Sequence, residues 1–234
     1  MSLLTVVKKA CAVCNIAVPS AVISSTDQNI QQMLYLAQME GDESAASYDW
    51  RNLKTKITLA GDGTTTLFQL PSDFDHFMMG VPLISSAYPT IPLPGPISDD
   101  DLMRLKALGY AAPVSYWRLI GGAIEVWPAI GAGVTVTGEY RSNCWILASD
   151  RLTRLPEFAS DDDLPLIPDR VLLLGLIWRW KAAKGLEYAE DFRTWDMERQ
   201  RASGHDVGNR TISISRANPS AASWPGTITD LTGQ

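Results

Sequence analysis

The apolar residues of this 234-residue chain repeat with one period at its ends and another in its middle. Near the N-terminus Leu3, Val6, Val7, Ala10, Cys11 and Cys14 recur every three or four residues, which is one face of a helix. From Lys54 onward the spacing shortens to two, the period of a half-buried strand, and after Asp150 the helical spacing returns. A pattern of one period does not settle into the other element. The chain therefore reads as α+β: a helical bundle formed by N- and C-terminal helices, with an inserted antiparallel β domain and an extended C-terminal tail. The expected division is 1–53 and 148–204 for the bundle, 54–147 for the β domain and 205–234 for the tail.

Within that division, Pro19 ends the first helix. A second starts with Ser25 or Thr26 as its cap and Gln28 completing a capping box, and runs to about Glu43. A short helical piece, Ala45 to Leu53, is expected to bury Tyr48 and Trp50. Lys54–Leu59 and Thr64–Leu70 alternate on either side of Gly61-Asp62-Gly63, the signature of a β-hairpin. Phe77–Ser85 is a further strand, and Pro89, Pro92, Pro94 and Pro96 mark a loop, because proline supplies no ladder donor. Ser98 caps a short helix ending at Leu108, with Asp99-Asp100-Asp101 at its positive end. Strands are expected over Val114–Ile120, Ala123–Trp127, Val134–Arg141 and Asn143–Leu147. Phe158–Leu166 is an acidic loop. Pro168 opens a helix whose stretch Val171–Trp180 is apolar nearly all round, hence buried on most sides. Leu186–Arg201 is amphipathic, with Tyr188, Phe192 and Trp195 on one stripe.

Charge and composition exclude several classes. The net charge is −6 and the pI about 4.9, which argues against a broad basic face for nucleic-acid phosphates. The longest apolar run, Val171–Trp178, falls far short of the roughly 20 residues of a membrane helix. The first lysines follow the apolar residues rather than preceding them, the reverse of a secretory signal, so no membrane partner is expected. Three cysteines, Cys11, Cys14 and Cys144, provide no disulfide framework. Cys11-x-x-Cys14 is half a zinc site, and on a helix it reads as two core thiols. The runs Asp99–Asp101 and Asp161–Asp163 point their carboxylates in different directions, and read as a helix start and a solvated or inter-subunit loop; a metal-dependent hydrolase is the weaker reading. No nucleophile-elbow, zincin or dinucleotide motif is present, and His76, beside Asp73 and Asp75, lacks a nucleophile. Neither an enzyme nor a cofactor is expected.

Eight tryptophans are many for this length. Trp50, Trp178 and Trp180 read as core. Trp117, Trp127 and Trp145 fall in the β region, where they pack its interior or, as the alternative, present exposed aromatics of a receptor- or glycan-binding tail module. Trp224 stands apart, in the Ser-, Thr- and Gly-rich tail as Ser223-Trp224-Pro225-Gly226. A tryptophan in such a segment suits a partner's pocket. In the same tail Thr211-Ile212-Ser213-Ile214-Ser215 alternates like an edge strand.

Several stretches resemble the head-to-tail adaptors of tailed bacteriophages, the tail tubular protein A or connector-adaptor family of short-tailed phages. They are Asp27-Gln28 with Gln31-Gln32-Met33-Leu34, Tyr48-Asp49-Trp50, Phe68 through Asp75, Tyr140-Arg141-Ser142, and above all Leu173 through Lys181 with Lys184 through Phe192. The resemblance implies a virion protein of the neck, made in the host cytoplasm, that forms a ring, typically dodecameric, beneath the portal. Its partners would be the portal protein, the tail nozzle or tube protein and copies of itself, with DNA passing through unheld. It also implies a C-terminal extension reaching the portal, for which Ile212, Ile214, Arg216, Trp224 and Pro225 are the candidate contacts. No active site is carried over. An acidic lumen lets DNA slide, so Asp161, Asp162, Asp163, Glu187, Glu190 and Asp191 are candidates for lumen or inter-subunit faces. Arg179, Lys181, Lys184, Arg193, Arg199 and Arg201 are the candidate complementary charges.

Overall fold

The computed structural model describes residues 1–78, 81–109 and 114–206. Its helices are α1 (Leu3–Val13), α2 (Gln28–Ala46), α3 (Asp99–Ala107), α4 (Asp169–Ala183) and α5 (Ala189–Asp206). Its strands are β1 (Lys54–Ala60), β2 (Leu67–Gln69), β3 (Phe74–Phe77), β4 (Ile84–Ser85), β5 (Tyr116–Ile120), β6 (Ala123–Trp127), β7 (Thr135–Ser142), β8 (Ile146–Leu147), β9 (Arg154–Leu155) and β10 (Leu164–Pro165). The result is the α+β arrangement that the period changes require, with helices from both ends of the chain and antiparallel sheets between.

α4 is the axis of the helical module. Val171, Leu172, Leu176, Ile177 and Trp180 are buried on several of its sides, and α1, α2 and α5 all pack on it. The expected face of α1, Leu3 to Cys11, is sealed. α2 begins one residue later than a Thr26 cap would set it and two later than a Ser25 cap: Asp27 is the cap, its carboxylate accepting the Asn29 N–H at 2.8 Å. The Ala45–Leu53 stretch is not a separate helix. α2 runs on to Ala46 and a single 3-10 turn, Arg51–Leu53, follows. Trp50 is buried nonetheless, because its indole N–H donates to the Ser44 carbonyl at 2.8 Å.

The expected hairpin does not form. β1 pairs antiparallel with β7, from Lys54↔Arg141 to Ala60↔Thr135, while β2 pairs with β6 in a different sheet. The glycine turn between them is used otherwise. The Gly61 N–H donates to Val134 and the Gly63 N–H to Ile130, so the turn interlocks with a second loop instead of folding β1 onto β2. The Asp62 carboxylate then gathers the N–H groups of Thr64 and Thr65 and the Thr65 hydroxyl, which steers the chain away. The single strand expected over Phe77–Ser85 is instead two short ones, β3 and β4, both on β7.

Sheets β1-β7-β3 (with β4) and β2-β6-β5 enclose a core of Ile57, Leu59, Leu83, Trp117, Ile124, Val126 and Tyr140. α3 opens on Ser98 as read from sequence and is tied to the second sheet by charge: Arg118 bridges Asp99 and Glu125 at 2.6 Å each, and Lys106 pairs with Glu125. A third sheet, β10-β8-β9, lies against the helices. Here Trp145 departs from expectation. It is 1% exposed and belongs to the helical core, its ring against Gly41 and its N–H on Asp42 at 2.7 Å.

Candidate interaction surfaces

Charge proposed for neighbouring subunits is largely consumed within the chain. Arg179 is 8% exposed and turns inward, where its Nε donates to the fully buried Glu40 at 2.6 Å and its Nη2 to Glu43 at 2.5 Å. Glu40 also accepts from Ser44 Oγ at 2.6 Å and Trp195 Nε1 at 2.8 Å, so α2, α4 and α5 meet on one carboxylate. Gly175 provides the space: a Cβ there would overlap the Glu40 side chain. Lys181 pairs with Asp191 at 2.6 Å, Arg199 with Asp196 at 2.9 Å, and Arg201 approaches Glu198 at 3.7 Å. Lys184 lies over the Trp180 ring. Arg193 is exposed, and no partner for it is found among the described residues.

The second aspartate run is a knot, not a charged patch. Asp163 is 1% exposed, and its carboxylate accepts the N–H groups of Ser149, Ala159 and Ser160. Asp161 accepts from Val22 and Ile23, and the Asp161 and Asp163 carbonyls take the N–H groups of Leu4 and Leu3. The run thus clamps the start of α1 and the approach to α2. A carboxylate that spends its lone pairs on backbone donors has little left for a neighbour. Asp162, Glu187 and Glu190 remain exposed, Glu187 with one oxygen on the Ala189 N–H at 3.2 Å.

At the seam between the modules His76 of β3 faces carboxylates with both ring nitrogens: Asp75 at 3.0 Å from Nδ1 and Asp49 at 2.9 Å from Nε2. Asp49 follows α2. Arg141 of β7, 8% exposed, stands 3.4 Å from Asp75 and 3.9 Å from Asp49. Asp73, expected beside His76, instead accepts from Tyr140 Oη at 2.8 Å and Ser142 Oγ at 2.7 Å. The seam is fastened by charge, and among the described residues Asp75 and Asp49 are the partners of the two His76 ring nitrogens. Among the described residues no group of three His, Cys, Asp or Glu side chains is placed to hold a metal.

Apolar surface faces outward on both modules. An open cleft of about 730 Å³ in the β module is lined by Phe77, Met78, Leu83, Leu93, Trp117 and Leu119. On the helical module Trp178 packs with Tyr188, Phe192 and Trp195, of which Tyr188 and Phe192 are 43% exposed. The three tryptophans of the β region form no exposed platform: Trp117 and Trp145 are buried and Trp127 is half-buried beneath Lys106. The tail contacts Ile212, Ile214, Arg216, Trp224 and Pro225 lie outside the described residues. The tail's root is described: the Asp206 carboxylate accepts the Arg51 N–H at 2.8 Å.

The family model of the SU10 adaptor protein matches residues 1–220, taking in both modules and the first part of the tail. The chain belongs to the SU10 adaptor family. No curated protein sequence matches it. The resemblance to phage adaptors therefore holds at that level: this is a structural adaptor protein of a bacteriophage. No described helix is long and apolar enough to cross a membrane. Sequence reasoning about this SU10 adaptor missed Glu40, and it quoted Asp49 and Arg141 within the resembling stretches without giving them a role. Glu40 sits at helical spacing from Met33 and Ala37 on the inward face of α2, and a glutamate on an apolar face is the signal that an arginine must meet it.

Proposed function

We propose that the protein forms a ring that joins the portal to the next tail component and lets DNA pass. The single observation supporting this is the match to the SU10 adaptor family over residues 1–220. The geometry is in keeping with it. Ring closure is heterologous, one face of a subunit meeting a different face of the next. With Arg179, Asp161 and Asp163 engaged internally, the candidate charges left for that contact are Asp162, Lys184, Glu187, Glu190 and Arg193. The aromatic patch around Phe192 and the cleft by Trp117 add apolar surface. A subunit of net charge −6 repels phosphates, which keeps a channel slippery rather than adhesive. The tail beyond Asp206, with Ile212, Ile214, Arg216, Trp224 and Pro225, reaches the portal, and the β module meets the nozzle or tube protein. Binding and assembly, not catalysis, are the activity.

Quantitative mass spectrometry of purified particles tests this. Copy number at parity with the portal protein is the expected result. Absence from the particle, or a ratio well below parity, overturns the ring.

A further inference from the structure

The open edge of β1 is a place for one more strand. Among the described residues, β1 lies at the border of its sheet and pairs only with β7. Its backbone polarity follows from the loop beyond it: the Gly61 N–H donates to Val134, so Leu59, Ile57 and Thr55 point their hydrogen-bonding groups at β7. Lys56, Thr58 and Ala60 then point theirs outward. Among the described residues no backbone or side-chain group bonds these three N–H groups. The side chains alternate cleanly, with Ile57 and Leu59 buried and Lys56, Thr58 and Ala60 exposed. An open, regular edge of seven residues is a template for strand addition.

We infer that the occupant is the chain's own segment Thr211–Ser215, added alongside β1 and parallel to it. Three observations converge. The tail leaves α5 at Asp206, whose carboxylate is held by the Arg51 N–H, three residues before β1 begins at Lys54. Residues 207–210 reach about 13 Å, enough to bring Thr211 beside the first half of β1, a strand spacing of about 4.8 Å away. An antiparallel entry would have to start beside Ala60, about 30 Å from Arg51, which four residues do not span. Last, Thr-Ile-Ser-Ile-Ser has the β-branched, period-two pattern that fits: with Ile212 and Ile214 on the side of Ile57 and Leu59, the apolar face widens and the polar residues stay with Lys56 and Thr58. In that register the N–H groups of Lys56, Thr58 and Ala60 gain acceptors. Ile212 and Ile214 donate to β1, and the Ser213 N–H faces away. This assigns Ile212 and Ile214 to β1 rather than to the portal, and leaves Arg216, Trp224 and Pro225 as the candidate portal contacts.

Amide hydrogen exchange on the full-length free protein tests this, whatever the ring reading's fate. The amides of Lys56, Thr58 and Ala60 exchange at least about tenfold slower in the wild type than in Ile214→Pro, which removes a donor and an apolar side chain. Ser213→Pro, whose lost N–H points outward, keeps the protection. Equal exchange in the wild type and Ile214→Pro overturns the inference. So does protection that rises with protein concentration, which assigns the edge to a neighbouring copy's tail.

Discussion

Replacing Glu40 with glutamine tests whether the helical module depends on one buried ion pair. The carboxylate is fully buried and accepts three side-chain hydrogen bonds, from Ser44 and Trp195 on Oε1 and Arg179 on Oε2. Glutamine keeps the shape and, with its oxygen toward Ser44 and Trp195, keeps two of the three bonds. Its NH₂ then meets the Arg179 Nε–H, donor against donor, and the guanidinium loses its buried counter-charge. Removing one member of a buried pair costs about 3–5 kcal/mol. Glu43 still holds Nη2, but its side chain is 61% exposed, so it compensates by no more than about 1 kcal/mol. The expected loss is therefore about 3 kcal/mol. At roughly 2–4 °C per kcal/mol for a chain of this size, Tm falls by about 6–12 °C. Urea unfolding followed by tryptophan fluorescence and a thermal scan measure both. The double variant Glu40→Gln/Arg179→Met, which leaves no buried unpaired charge, recovers most of the loss. A single-variant loss under about 1 kcal/mol, or a double variant no better than the single, refutes the account.

Other outcomes follow from the same geometry. Gly41→Ala puts a methyl into the Trp145 ring, which its bond to Asp42 holds in place, and costs at least about 2 kcal/mol in urea unfolding; Gly204→Ala, whose Cβ meets open space, is neutral or mildly stabilising. Burial works against the Glu125 carboxylate, yet Lys106 and Arg118 hold its pKa below the ordinary 4.5. Its contribution is thus complete above that value and lost as pH falls through and below it, so the urea midpoint drops on acidification; an equal drop in Glu125→Gln would exclude this source. Burial pushes the Cys14 thiol up to about 11, so it alkylates at pH 8 much more slowly than an unfolded control, and equal rates in native buffer and in urea would contradict the burial. Deleting residues 207–234 leaves the fold of 1–206 intact by circular dichroism and abolishes binding to the portal protein; retained binding removes the tail from the interface.

What the sequence made legible was what is local. The helices were readable because their information is periodic and their ends carry caps: Ser98 over α3, Pro168 before α4. Some strand positions were readable for the same reason, Ala123–Trp127 to the residue, but the strand read over Phe77–Ser85 is two short ones, and β9 and β10 carried no signal. Strand partners were not readable. Lys54–Leu59 and Thr64–Leu70 look like the arms of a hairpin, yet β1 finds β7 some eighty residues on, because pairing is decided by the length and register a partner offers. Charge was the least legible layer. Asp161, Asp163 and Arg179 share their residue types with a solvated or inter-subunit surface; what distinguishes them is the set of donors and acceptors that folding brings within 3 Å. That redistribution has a functional consequence. With many of the obvious ion pairs closed inside the subunit, the proposed ring would have to use what is left of the candidate surface: Asp162, Lys184, Glu187, Glu190 and Arg193, an aromatic patch and an apolar cleft. The aromatic patch and the cleft make contacts that are less screened by salt than surface ion pairs. The proposed ring, if built on them, would hold together at ionic strengths that loosen one built on the charges the sequence displays.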